Sequence, residues 1–417
     1  MMKPVPEAQR KIVVSQGRIL ATVALAGLLL LQTFPTAACS LIFINNNDVA
    51  KIVVRTMDLP LQIPEAPRFV VLPRGLDKDA AHSVLPGVTV KLLGLSDNHL
   101  KWKAKYGSVV MVAFDVGVTD GLNEQGLAGH LLTLEATAYE PKDDRPELGQ
   151  THWLSYVLDN FKTVQEAVDA LKDDKEFRIV PVTAPEKGLA GIMSVHLALE
   201  DPTGDSAIFE LVNGKMVIHH GPQYRVVTND PPYDTMLLSL KKYKAFGGKL
   251  GLPGEGPEGE YRFVRLAAYF QLLPDPKTYR EAVANAISLM RVAQVPARDP
   301  RKELEATKDL TDADRLWAGV QTNWLSAIDV SHKVVYLNSA MSPDLFWVKL
   351  EDLDLNEGAS VMYLDPHDIT MGGDAAKRFE VWRAIRTELR DQAHSGLRVS
   401  SPRADSRVAT REEASKN

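Results

Sequence analysis

"TAACSLIFINNNDVAKIVVRTMD", residues 36–58, decides how this chain is read. "SLIFI" (40–44) and "AKIVVRTM" (50–57) are rich in β-branched and apolar residues, and they flank the turn cluster Asn45-Asn46-Asn47-Asp48. That pattern predicts a hairpin. Counting outward from the turn brings Arg55 beside Cys39 to within a residue, with Asp58 one short step further on. Cys39 is the only cysteine in 417 residues, so no intrachain disulfide staples the fold.

What precedes Cys39 has a different character. Lys3, Arg10, Lys11 and Arg18 form a positive start, Ile19 to Leu31 an apolar run, and Pro35-Thr36-Ala37-Ala38 a stretch of small residues. This is the layout of a secretory signal cut after Ala38, with an apolar run too short for a comfortable bilayer span. Residues 1–38 are therefore read as a signal peptide and the mature protein as periplasmic or secreted, with no membrane span after cleavage. The cut makes Cys39 residue one. Two chemistries use such a cysteine. One is lipid attachment, the mark of an exported lipid-anchored binding protein, for which the leucine usual three positions upstream is replaced here by Thr36; a soluble binding protein with a structural Cys39 is the related alternative. The other is catalysis by an N-terminal nucleophile, in which the thiol attacks and its own α-amine moves the proton.

Composition places the remainder among ordinary globular proteins: 45% hydrophobic, 24% charged, net charge -6. No basic stripe suggests nucleic acid. Strands are expected at 108–117 and 126–134 around a turn "TDGLNEQG", then in "MSVHLALED", in "SAIFELVNGKMVIHH" with its Asn213-Gly214 turn, and in "YRVVTND". Late strands are expected in "TNWLSAIDV" and "KVVYLNSA". Capping boxes open helices at Thr163 with Glu166 and at Thr278 with Glu281. Strands in the outer thirds with helices grouped between them argue an α+β fold of packed layers. Residues 39–372 read as one domain. Residues 373–417 read as a helix from Ala375 to Leu389 followed by a polar, disordered tail.

A thiolate beside the Arg55 guanidinium is expected at a lowered pKa, and an α-amine titrates ordinarily at about 7.7–8, suited to a proton shuttle. Asp58 is placed to hold that amine. Asn229 ends a strand ahead of two prolines, where its side-chain NH2 is placed to donate to an oxyanion. The G-x-G-x-x-G match at Gly254, Gly256 and Gly259 lacks a preceding strand and is interrupted by Pro253 and Pro257, which excludes a dinucleotide site. Arg262 and Arg265, three apart, share a helix face. The histidines form no metal framework, no G-x-S-x-G elbow is present, and no cofactor is called for. His130 lies in an expected buried strand, as a candidate pocket residue.

Taken together these segments resemble the linear amide C–N hydrolases of the choloylglycine hydrolase type, the bile salt hydrolases and penicillin V acylases. The resembling residues are Cys39, Arg55 and Asp58, "DGLNEQGL" at 120–127, "TNDP" around Asn229, "GLPG" at 251–254, "RFVR" at 262–265 and the late strands. The resemblance implies an N-terminal nucleophile (Ntn) hydrolase αββα sandwich, a small-molecule amide substrate and a homo-tetramer. It implies catalytic roles for Cys39, Arg55, Asp58, Asn229 and Arg262. Where bile salt hydrolases carry a second oxyanion asparagine this chain has Thr133, so a backbone N–H there is expected to donate. Together with the aromatic residues Trp102, Tyr106 and Tyr139, this resembles the acylase branch, whose members cleave penicillin V or long-chain N-acyl homoserine lactones. His130 and Tyr139 are taken as substrate-binding candidates.

Overall fold

The computed structural model describes residues 39–60, 67–173, 176–187, 193–254, 256, 258–306 and 319–383. The expected signal peptide and polar tail lie outside these residues.

The hairpin is there, as strands Ser40–Ile44 and Ile52–Pro60. Its register pairs Ser40 with Thr56 and Leu41 with Arg55, so Cys39 falls opposite Met57. Arg55 thus stands two residues from the expected partner and approaches the thiol along a diagonal. Period-two alternation puts Cys39, Arg55 and Met57 on one face, and Ser40, Thr56 and Asp58 on the other.

Two large sheets are built around this hairpin. The first runs, in spatial order, Val226–Thr228, Ser40–Ile44, Ile52–Pro60, Val320–Asp329, Val334–Ser339, Leu345–Lys349 and Gly373–Asp374. The second runs Lys215–His220, Ser206–Val212, Val195–Glu200, Ala128–Thr133, Gly117–Asn123, Ser108–Ala113, Arg68–Leu72, Met362–Leu364 and Glu380–Val381. The central strands are buried on both sides, because helices cover the outer faces, while the edge strands stay partly exposed. Gly259–Phe270 and Tyr279–Met290 pack on the hairpin side, and Trp153–Asn160 and Val164–Leu171 on the other. The result is four layers, an αββα sandwich, with one apolar core that fills the space between the two sheets and continues to the hairpin-side helices, and another beneath Trp153–Asn160.

Both capping boxes form. Thr163 accepts from the Glu166 N–H at 3.1 Å and Thr278 from the Glu281 N–H at 3.2 Å. Two expectations need correction. Residues 119–123, expected as part of the turn, lie in the strand Gly117–Asn123, and the chain turns before it at Phe114-Asp115, both at positive φ (57° and 53°). The helix expected from Ala375 is absent over its described part: a single 3-10 turn at Ala376–Arg378 separates the edge strands Gly373–Asp374 and Glu380–Val381. Buried Ala375 and Phe379 carry the core past residue 372. Among the described residues no helix is long and apolar enough to cross a membrane.

Candidate active site

Cys39 is 2% exposed, at the floor of a cleft of about 600 Å³, part of it open to solvent. Met57, Leu59, Phe114, Val116, Leu131, Met193 and Val195 make its walls largely apolar; Thr119, Thr133, Gln150 and Thr151 supply polar points.

Arg55 reaches the sulfur from the inner face of its sheet. Its Nη2 lies 3.6 Å from Cys39 Sγ and donates to Leu131 O at 2.7 Å, while Nη1 donates to Thr119 O at 2.7 Å. Thr119 and Leu131 sit on adjacent strands of the opposite sheet, just where their ladder, closed from Asp120–His130 to Leu122–Ala128, comes apart. The guanidinium fills that opening. Nη1 also forms a buried ion pair with Asp120, which in turn accepts from His130 Nδ1 at 2.6 Å and Trp324 Nε1 at 3.3 Å. Arg55 keeps Asp120 below the usual carboxylate range despite its burial.

On the helix side, Arg262 Nη1 donates to Cys39 O at 2.7 Å and to Ser40 Oγ, and stands 3.7 Å from Asp58 Oδ2. Its Nη2 donates to Asn229 Oδ1 at 3.3 Å. Arg262 gets there because its helix begins hard against the end of the Val226–Thr228 strand. Gly259 permits the approach: a Cβ there would stand 2.5 Å from Asp230 O. Arg265, on the same face, takes the glycine loop instead, donating to Gly254 O and to Gly256 O at 3.1 Å. Burial brings Arg262 down to about 10, still a cation at neutral pH.

Fixed by Arg262, the Asn229 amide turns its NH2 toward Thr133 O, at 2.7 Å. Thr133 faces Val195, but the adjacent Leu134 N–H is the one that donates to Ser194 O. Thr133 is therefore in a non-hydrogen-bonded pair, and its N–H and C=O both point away from Val195, toward the parted strands. The Asn229 amide is thus tied to the Thr133 carbonyl, on the edge from which the Thr133 N–H also points.

Asp58 accepts from Thr322 Oγ1 at 2.6 Å and Thr56 Oγ1 at 3.2 Å. Burial lifts its pKa to about 6 against the pull of Arg262. A register shift between Thr322 and Trp324 makes this set possible. Without it both residues would point the same way; with it Thr322 turns to Asp58 and Trp324 to Asp120.

Burial also pushes the Cys39 thiol up, outweighing Arg55 and the Asp58 backbone N–H that oppose it. The expected lowered thiol pKa is not met while the sulfur is enclosed, so attack by this thiol needs a base.

Six of the residues singled out from sequence, Cys39, Arg55, Asp58, Thr133, Asn229 and Arg262, come together. Two do not. His130 is fully buried behind Asp120 rather than on the cleft wall, and Tyr139 packs in the core beneath Trp153–Asn160 with its hydroxyl buried. Asp120, Thr322 and Trp324 carry no assigned role in the sequence reading; the signal available was the place of Asp120 in the "DGLNEQGL" segment and of Thr322 and Trp324 in the late strand, both of which carry the resemblance.

The linear amide C-N hydrolases of the choloylglycine hydrolase family match residues 39–363. The chain belongs to that family. A penicillin V acylase of Pectobacterium atrosepticum is 32% identical over 345 residues, spanning 76% of this chain and 88% of its relative. The penicillin V acylase structure from Agrobacterium tumefaciens is also 32% identical, with a TM-score of 0.67 over 83% of this chain and 98% of that one. A conjugated bile acid hydrolase from Clostridium perfringens shares the fold, at 18% identity, a TM-score of 0.60, and coverage of 78% and 96%. As a member of the choloylglycine hydrolase family, with the Ntn-hydrolase sandwich of these neighbours, the chain is a hydrolase of linear amide C–N bonds.

Proposed function

We propose that this hydrolase is exported, loses residues 1–38 and uses Cys39 as an N-terminal nucleophile. The observation carrying this reading is a neutral, enclosed thiol at the floor of an apolar cleft, with its own backbone held by Arg262 within reach of Asp58. A free α-amine formed at Cys39 supplies the base the thiol lacks, and Asp58 orients it. The family match beginning at Cys39 supports the same boundary.

In this mechanism the α-amine takes the thiol proton as sulfur attacks the amide carbonyl. The Asn229 NH2 and the Thr133 N–H stabilise the oxyanion. The amine then protonates the leaving nitrogen, an acyl-thioester forms, and water releases the acid. The apolar walls suit an apolar acyl group, so the substrates proposed are penicillin V and N-acyl homoserine lactones, with conjugated bile salts a further candidate. A buried thiol aimed between two sheets fits lipid attachment poorly.

N-terminal sequencing of exported protein and turnover of the three substrate classes by Cys39→Ala test the proposal. It predicts a mature chain starting at Cys39 and no turnover by the variant; an uncut chain, or turnover that survives the substitution, overturns it.

A further inference from the structure

Behind the Arg55–Asp120 pair lies a buried row of groups that the mechanism above leaves unused. His130 Nδ1 is bonded to Asp120 Oδ1 at 2.6 Å, and its Nε2 faces Glu200 Oε2 at 3.5 Å. Both of these last atoms are buried with no other hydrogen-bond partner. His130 is 0% and Glu200 2% exposed.

Counting protons along this row gives one consistent arrangement. Asp120 already serves as acceptor to Arg55, so His130 presents Nδ1–H to it. A neutral imidazole protonated at Nδ1 is an acceptor at Nε2, and only a donor satisfies it. Glu200 is the group in reach, and it donates only as a carboxylic acid. Its surroundings favour that form: it is enclosed, with the Asp120 and Asp201 carboxylates nearby, and its pKa is raised well above the usual range. Burial likewise favours neutral His130. The charged groups acting on the row are Arg55 from the hairpin sheet, and Asp120 and Asp201 on the side of its own sheet.

We propose that Glu200 and His130 are positioning residues for the Cys39 reaction: the Glu200 carboxylic acid donates to His130 Nε2, His130 Nδ1–H donates to Asp120, and Asp120 so oriented holds the Arg55 guanidinium against the sulfur. This rests on Cys39 being the nucleophile. It gives His130 a part in the site without substrate contact, through a tautomer chosen some distance from the thiol.

The test uses mature protein, Glu200→Leu, which removes the donor, and Glu200→Gln, whose amide keeps one. The rate of Cys39 alkylation by iodoacetamide is measured against pH, alongside kcat and KM. Glu200→Leu is expected to lower kcat and the neutral-pH alkylation rate about ten- to hundredfold with KM little changed, the usual effect of removing an outer partner. Glu200→Gln, whose amide still donates to His130 Nε2, is expected to keep kcat, KM and the alkylation profile close to the parent's. A folded Glu200→Leu with the parent's profile overturns the proposal. Should Glu200→Leu fail to fold, the Gln variant decides: a folded Glu200→Gln whose kcat and neutral-pH alkylation rate fall about tenfold or more overturns it. Alkylation requires no turnover, so these results stand apart from the Cys39→Ala assay, whose failure would count against the nucleophile itself.

Discussion

Arg55 is wholly buried, and its charge is tolerable there because Asp120 meets it with two backbone carbonyls alongside. Arg55→Met strands a buried carboxylate. We expect a loss of about 3–5 kcal/mol in stability by chemical denaturation, together with loss of amidase activity. On the proposed mechanism Asn229→Ala removes one oxyanion donor and is expected to lower kcat about 10²–10³-fold in steady-state assays. Asp58 gives a pH prediction. On the proposed mechanism its carboxylate form accepts from the α-amine of Cys39, so kcat/KM is expected to fall as pH drops through the Asp58 pKa. That pKa is about 6 in the uncut chain and is drawn lower by a neighbouring ammonium. Asp58→Asn should be slower throughout and lack this acid limb. Stability carries the opposite sign: a raised folded-state pKa favours folding below the ordinary carboxylate value of 3.8, and this contribution fades as pH rises through about 6. Cys39, Arg55 and Asp58 were legible in the sequence because hairpin counting brings them together. Glu200 was not, because its meaning depends on which strand lies across from it: "HLALE" reads only as a buried strand until His130 is found opposite Ala198, one step from Ala128 opposite Glu200.

Elements followed their local signals where those signals were chemical. The Thr163 and Thr278 hydroxyls cap their helices as the spacing suggested, each accepting the N–H three residues on. Replacing either with Ala is expected to cost about 1 kcal/mol by urea denaturation while leaving turnover unchanged, since neither approaches the cleft. The hairpin at Asn213-Gly214 has both residues at positive φ, as its sequence predicts. The turn at Phe114-Asp115 carries no such signal. It is held from outside, by Arg68 donating to both Asp115 oxygens, with Nε at 2.5 Å and Nη2 at 3.2 Å. Tertiary pairing overrides the local preference there, so "TDGLN" was read as a turn when it is a strand. Phe114 lines the cleft. Asp115→Ala should therefore raise KM for substrates with bulky acyl groups more than it lowers kcat, measured over an acyl-length series.

At the scale of the molecule, the layering was foreseeable from strands in the outer thirds and helices between them, and the packed body then ran further than expected. Residues 373–382 close an edge of each sheet and place Ala375 and Phe379 in the core. Stopping the chain after Gly372 is expected to lower the thermal midpoint clearly. The polarity of the segment hid this, since two-residue edge strands need few apolar positions. The register shift at Asn323 has a consequence of another kind. One extra residue there sends Thr322 to one half of the site and Trp324 to the other. Removing it would swing every side chain on one arm of the strand through half a turn and disconnect one of the two carboxylates from its partner. Working versions of this enzyme can thus exchange letters along Val320–Asp329 far more freely than they can change its count.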